Sequence, residues 1–97
     1  MLIFKVAGRD VTITGAGAED DPFVVTGIAG NSSVAAEAEK AMLDHWMGAD
    51  GWLLVESRLE RPEPSKTMAI LKIRSFDEND EVVQGEVWFD VSEAFER

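Results

Sequence analysis

His45 is the only histidine in the chain, and imidazole is the one side chain whose ordinary pKa lets it exchange protons near neutrality. To act as an acid, base or nucleophile activator it needs a carboxylate, a hydroxyl or a metal beside it. Asp44 precedes it, but adjacent residues on a helix do not face each other. Glu56 and Asp90 are the carboxylates that a fold would have to bring in from elsewhere. Without such a partner, His45 reads as a packing or helix-capping residue.

The remaining chemistry-bearing residues are equally isolated. Glu37 and Glu39 lie two apart on an expected helix and therefore diverge. Ser32, Ser33, Ser57, Ser65, Ser75 and Ser92 lack the strand–turn–helix setting of a nucleophile elbow. Ser57 is expected to face inward within a strand, as a small position bonded to backbone. Cysteine is absent, which removes thiol catalysis and thiolate metal ligation. No catalytic, cofactor-binding or metal-binding constellation is recognisable.

Two spacings imitate known motifs and fail on their details. Gly15-Ala16-Gly17 begins like a dinucleotide fingerprint, but Asp20 stands where the third glycine belongs, and Glu19, Asp20 and Asp21 would repel phosphate. It reads as a plain turn. Asp77, Asn79 and Glu81 alternate like the start of a calcium loop, but Val82 and Trp88 occupy the positions that require Gly and Glu. That segment reads as a solvated hairpin turn.

The elements that position these residues follow from periodicity and punctuation. Leu2 to Val6 and Val11 to Thr14 alternate around Gly8-Arg9-Asp10, the pattern of a hairpin. Gly15 to Pro22 is a loop, and Phe23 to Thr26 a short strand. The spacing predicts a helix over Ser33 to Met47, capped by Ser32 or Ser33 and ended by Gly48. Its apolar stripe would run through Val34, Ala38, Ala41, Met42 and His45, flanked by Trp46, with Glu37, Lys40 and Asp44 on the polar side.

Three strand-like runs follow: Trp52 to Arg61, Thr67 to Phe76 and Val82 to Val91. The short turn-rich loops Pro62–Lys66 and Asp77–Glu81 make an antiparallel meander the natural arrangement. Pairing Val55 with Ile73, and Leu71 with Val87, puts Leu53, Val55, Leu59, Ala69, Leu71, Ile73, Val83, Val87, Phe89 and Val91 on one face, under the helix. The opposite face then sets Glu56 beside Lys72 and Lys72 beside Glu86. A one-residue slip of one strand would destroy both patterns together. On that second face Trp52, Leu54, Phe76 and Val82 gather at one end, and Met68, Ile70 and Trp88 at the other. Tryptophan is enriched in binding hot spots and is also an ordinary core residue. Trp52, Met68, Ile70, Phe76 and Trp88 are therefore the candidate partner surface, unless the N-terminal hairpin or the tail from Ser92 covers them.

Composition narrows the function classes. At 97 residues the chain has the length of one domain, and 45% apolar with 29% charged residues suits a folded protein rather than a disordered one. Nine Lys and Arg against nineteen Asp and Glu give a formal charge of −10. Such a surface repels nucleic acid and anionic lipid and attracts a basic partner, besides keeping the protein soluble. No stretch is long and apolar enough to span a membrane, and the apolar start from Met1 to Ala7, interrupted by Lys5, is too short for a signal peptide. A cytoplasmic setting is expected.

Gly15-Ala16-Gly17-Ala18-Glu19-Asp20-Asp21-Pro22-Phe23-Val24-Val25 and Val87-Trp88-Phe89-Asp90-Val91-Ser92, followed by Phe95, resemble stretches of a group of small uncharacterised bacterial proteins. The resemblance spans roughly Gly15 to Phe95, with the helix ending near Gly48 and the Gly51-Trp52 start included. The Asp77 to Val83 loop is longer than the group's usual turn. The group has no established activity, so the resemblance transfers no functional residue.

Taken together, the sequence leads us to expect an α+β domain over residues 1–97: one helix packed on an antiparallel sheet, a C-terminal three-stranded meander and an N-terminal β-hairpin. The functional expectation is a non-enzymatic protein-binding module, of inhibitor or immunity type, for a basic partner. The alternatives are a small enzyme or ligand-binding domain with a site near His45, and a homodimer that uses the second sheet face.

Overall fold

The computed structural model describes residues 1–95. One helix lies on one face of a six-stranded sheet with strand order β1-β2-β3-β6-β5-β4. The strands are β1 (Leu2–Val6), β2 (Arg9–Thr14), β3 (Phe23–Thr26), β4 (Trp52–Glu63), β5 (Lys66–Phe76) and β6 (Val82–Asp90). The helix α1 (Ser32–Met47) joins β3 to β4, and a 3-10 turn, η1 (Ser92–Phe95), follows β6.

The sheet is mixed, which corrects the all-antiparallel expectation. β3 pairs with β6 in parallel, Phe23 opposite Phe89 and Val24 opposite Asp90; all other neighbours are antiparallel. β1 and β2 pair across Val6 and Arg9, so their turn is Ala7-Gly8. Both turn residues have positive φ, 51° and 78°. That is the mirror-image turn that fits the twist of paired strands, and it suits Gly better than Ala.

Asn31 rather than Ser32 or Ser33 caps α1. Its side-chain oxygen accepts the Val34 N–H at 3.1 Å, so the helix starts one residue earlier than expected. Gly48 ends it at φ 83°, donating its N–H to the Asp44 carbonyl at 2.8 Å. The buried stripe is Val34, Ala35, Ala38, Met42 and Leu43. It is rotated from the expected stripe, leaving Ala41 half-buried and His45 exposed.

Under the helix lie Val11, Ile13, Phe23, Val25, Ala69, Leu71, Ile73, Val87, Phe89 and Val91, all buried in one core. Leu71 pairs with Val87, and Glu56, Lys72 and Glu86 stand in one row across three strands, as the charge pattern required. Leu53, Val55, Leu59 and Val83, expected in this core, are exposed. For Leu53 and Val55 the physical reason is a bulge; Leu59 keeps its helix-side place opposite Ala69 and is exposed because it stands on the edge strand beyond the helix. Leu54 rather than Val55 pairs with Ile73, and the register steps by one between Leu54 and Glu56. Val55 is the unpaired extra residue. The step turns Trp52 and Leu54 to the helix side and Leu53 to the opposite side. Of β4, the helix then covers only the Trp52 end.

The C-terminal end is tied back onto the start of the helix segment. A Glu93 carboxylate oxygen accepts the Gly27 and Ile28 N–H groups at 2.7 and 2.8 Å, and the Gly30 N–H donates to the Glu93 carbonyl. The Ser92 hydroxyl donates to Asp90 at 2.5 Å and accepts the Thr67 N–H at 2.9 Å.

Candidate functional site

His45 meets none of the carboxylates that the sequence offered as its partners. Its ring stands edge-on to Phe4, with centroids 5.6 Å apart. Glu56 faces away from the helix beside Lys72, and Asp90 is occupied by the Ser92 hydroxyl and N–H. Asp44 turns instead to Trp52, whose indole N–H donates to it at 2.9 Å, and to Lys40 at 2.7 Å. These two hydrogen bonds hold the Asp44 carboxyl below the usual carboxylate range. Among the described residues, no group of three His, Asp or Glu side chains is placed to hold a metal.

The motif imitations resolve as turns. In the 15–22 loop, Ala16 and Ala18 donate their N–H groups to the Asp21 carbonyl. A Cβ on Gly17 would lie 2.5 Å from the Phe23 ring, so glycine is needed there for close approach rather than for phosphate. The Asp77 side chain accepts the Asn79 and Glu81 N–H groups, closing the β5–β6 hairpin.

The five residues of the candidate partner surface do not share one exposed face. Ile70 is 0% exposed and Met68 is buried. Ile70 stands in register between Arg58 and Trp88, and Trp88 is half-buried. Trp52 lies on the helix side, tied to Asp44. Phe76 alone is largely exposed, at 56%, on the second face opposite Val82.

On the second face Leu53 and Val82 are exposed like Phe76, and a further uncovered apolar surface lies on the helix side. Between the flank of α1 and the edge strand runs a groove of about 410 Å³. Ala36, Glu39 and Lys40 form its helix wall; Leu54, Ser57 and Leu59 come from β4, and Ala69 and Leu71 from β5. Ser57 is on the helix side, as its strand position implied, but it is exposed in this groove rather than packed in a core. Leu59, directly opposite Ala69, is 58% exposed.

Glu39 is the electrostatic feature of the groove. Burial against the apolar walls pushes its carboxyl up to about 7. The groove's cations are committed elsewhere: Lys40 to Asp44, and the Arg58 guanidinium to Glu60 and Glu86. Sequence reasoning weighed Glu39 only as half of a diverging pair with Glu37. The available signal was its place one residue after Ala38 and three and four residues before Met42 and Leu43, at the border of the buried stripe.

No helix among the described residues is long and apolar enough to cross a membrane. Compared with protein-family models, curated proteins and solved structures, the chain matches none.

Proposed function

We propose that the protein is a non-enzymatic protein-binding module whose partner is basic, and that it binds through the groove between α1 and β4. One observation carries this reading: a long edge strand leaves Leu54 and Leu59 uncovered beside a desolvated carboxylate, in a chain of charge −10. Exposed apolar surface rimmed by charge is characteristic of interaction sites, and the acidic field would hasten encounter with a cationic surface. Trp52 borders the groove, so it is the member of the sequence-derived surface that belongs to this site.

The test is capture on immobilised protein, wild type against Leu54→Asp and Leu59→Asp. A basic protein retained by the wild type, released by salt and lost in both folded variants supports the reading. Equal retention by the variants, or retention of acidic proteins alone, overturns it.

A further inference from the structure

Among the described residues, β4 pairs with β5 on one side and with no strand on the other. The strand carries a bulge at Val55 and a second irregularity between Glu60 and Glu63, where Pro62 has no N–H, so its regular row of backbone N–H and C=O groups runs from Glu56 to Glu60, and an extended segment of another chain can continue the ladder there. Side chains of such a segment alternate between the two sheet faces. Those on the helix side lean over Leu54, Ser57 and Leu59 towards Glu39; those on the other side meet the row that holds Glu56 and Glu60.

We propose that β4 accepts an extended segment of the basic partner as a seventh strand, with one Lys or Arg side chain of that segment laid into the groove against the Glu39 carboxylate. The proposal rests on the protein-binding reading above and specifies its geometry. The apolar groove walls suit the alkyl stem of a long basic side chain, and Glu39 suits its charged head. Among the described residues Glu39 makes no ion pair, whereas both cations bordering the groove are already bridged to other carboxylates. A second copy of this chain is a poorer occupant, because it would bring another −10 of charge to the same edge.

Ionisation of Glu39 gives the complex a signature. An incoming cation requires the carboxylate, so binding releases the proton that the free groove retains, and affinity falls as the medium becomes acidic. The other charged side chain facing the groove is Lys40 on α1, held by Asp44; Arg58 borders it from β4 but stands opposite Ile70, with its guanidinium bridged to Glu60 and Glu86 on the second face, and β5 contributes only Ala69 and Leu71.

The probe is a short synthetic peptide alternating lysine and valine, with a control in which glutamine replaces lysine. Calorimetry on the intact chain should show the lysine peptide binding at least about tenfold more tightly than the control. Its affinity should drop about tenfold between about pH 8 and about pH 6. In Glu39→Gln the affinity should be weaker and flat with pH. Backbone amide shifts on adding the peptide should concentrate in β4. Equal binding by Glu39→Gln, shifts centred on another element, no binding of the lysine peptide, or sedimentation showing that the free protein already dimerises through β4 would each overturn strand addition. If the proposal fails in this way while Leu54→Asp still abolishes capture of a basic protein, the protein-binding reading stands and only its geometry is wrong.

Discussion

The Trp52 indole donates a 2.9 Å hydrogen bond to Asp44, joining the last turn of α1 to the first residue of β4. The bond crosses the short 48–51 connection and fixes one end of the groove. It also sets the sign of an acid response. Asp44 has a lowered pKa in the fold, through hydrogen bonds from Lys40 and then Trp52. Its contribution is therefore complete above the ordinary carboxylate value of 3.8 and is lost as pH falls below it. Asp44→Asn should be less stable than wild type at neutral pH, and the gap should close in acid. Denaturant titrations followed by tryptophan fluorescence measure this, and a gap that is constant with pH would contradict it.

Glu39 responds in the opposite direction. Its pKa rises from 4.5 to about 7 on folding, so the folded state holds the proton more tightly than the unfolded one. Stability from this residue is full below 4.5 and declines as pH rises through about 7. Glu39→Gln imitates the protonated form. It should stabilise by about 1–3 kcal/mol at about pH 8, a range reduced for partial solvent access, and by little at about pH 5. Chemical denaturation at the two pH values checks it.

Leu71 and Leu59 lie on the same sheet face and differ in cover. Leu71→Ala should cost about 2–5 kcal/mol through lost burial and a cavity. Leu59→Ala, at an uncovered edge position, should cost under about 0.5 kcal/mol. Similar losses for both would mean that something covers β4 in solution, and sedimentation would show whether it is a second copy.

Ala7 holds a left-handed conformation at φ 51°, which costs an L-residue with a Cβ roughly 1–2 kcal/mol. Ala7→Asn creates the favoured Asn-Gly pair for this hairpin turn. It should raise stability by about 0.5–1 kcal/mol, read as a shift in the denaturation midpoint with unchanged slope.

How far the sequence reached depends on what kind of contact decided each feature. The Glu56–Lys72–Glu86 row and the Leu71–Val87 pair were legible because short hairpins leave few registers and a slip penalises charge and hydrophobicity together. The bulge at Val55 was not legible: Leu53-Leu54-Val55 is apolar throughout, so either phase satisfies the pattern. The parallel pairing of β3 with β6 was hidden for a different reason. It joins residues far apart in the chain, and no local signal marks a strand's distant partner. Glu93 was invisible as a clamp because the groups that donate to it are backbone N–H groups, which no sequence pattern advertises. The groove followed from the bulge and from the rotation of the α1 stripe, so its location could not be read before both were known.

The placement of β6 between β3 and β5 also constrains the order in which the chain becomes whole. The strand that follows all the others is central to the sheet and bridges two otherwise separate pieces, β1–β2–β3 and β4–β5. While the chain grows from its N-terminus, each piece waits with an open edge, and β3 lacks the neighbour that completes it. Only when Phe89 and Asp90 emerge can the two halves be sewn together. Completion of the fold is therefore a late, non-local event, with the slow closure that such pairings carry.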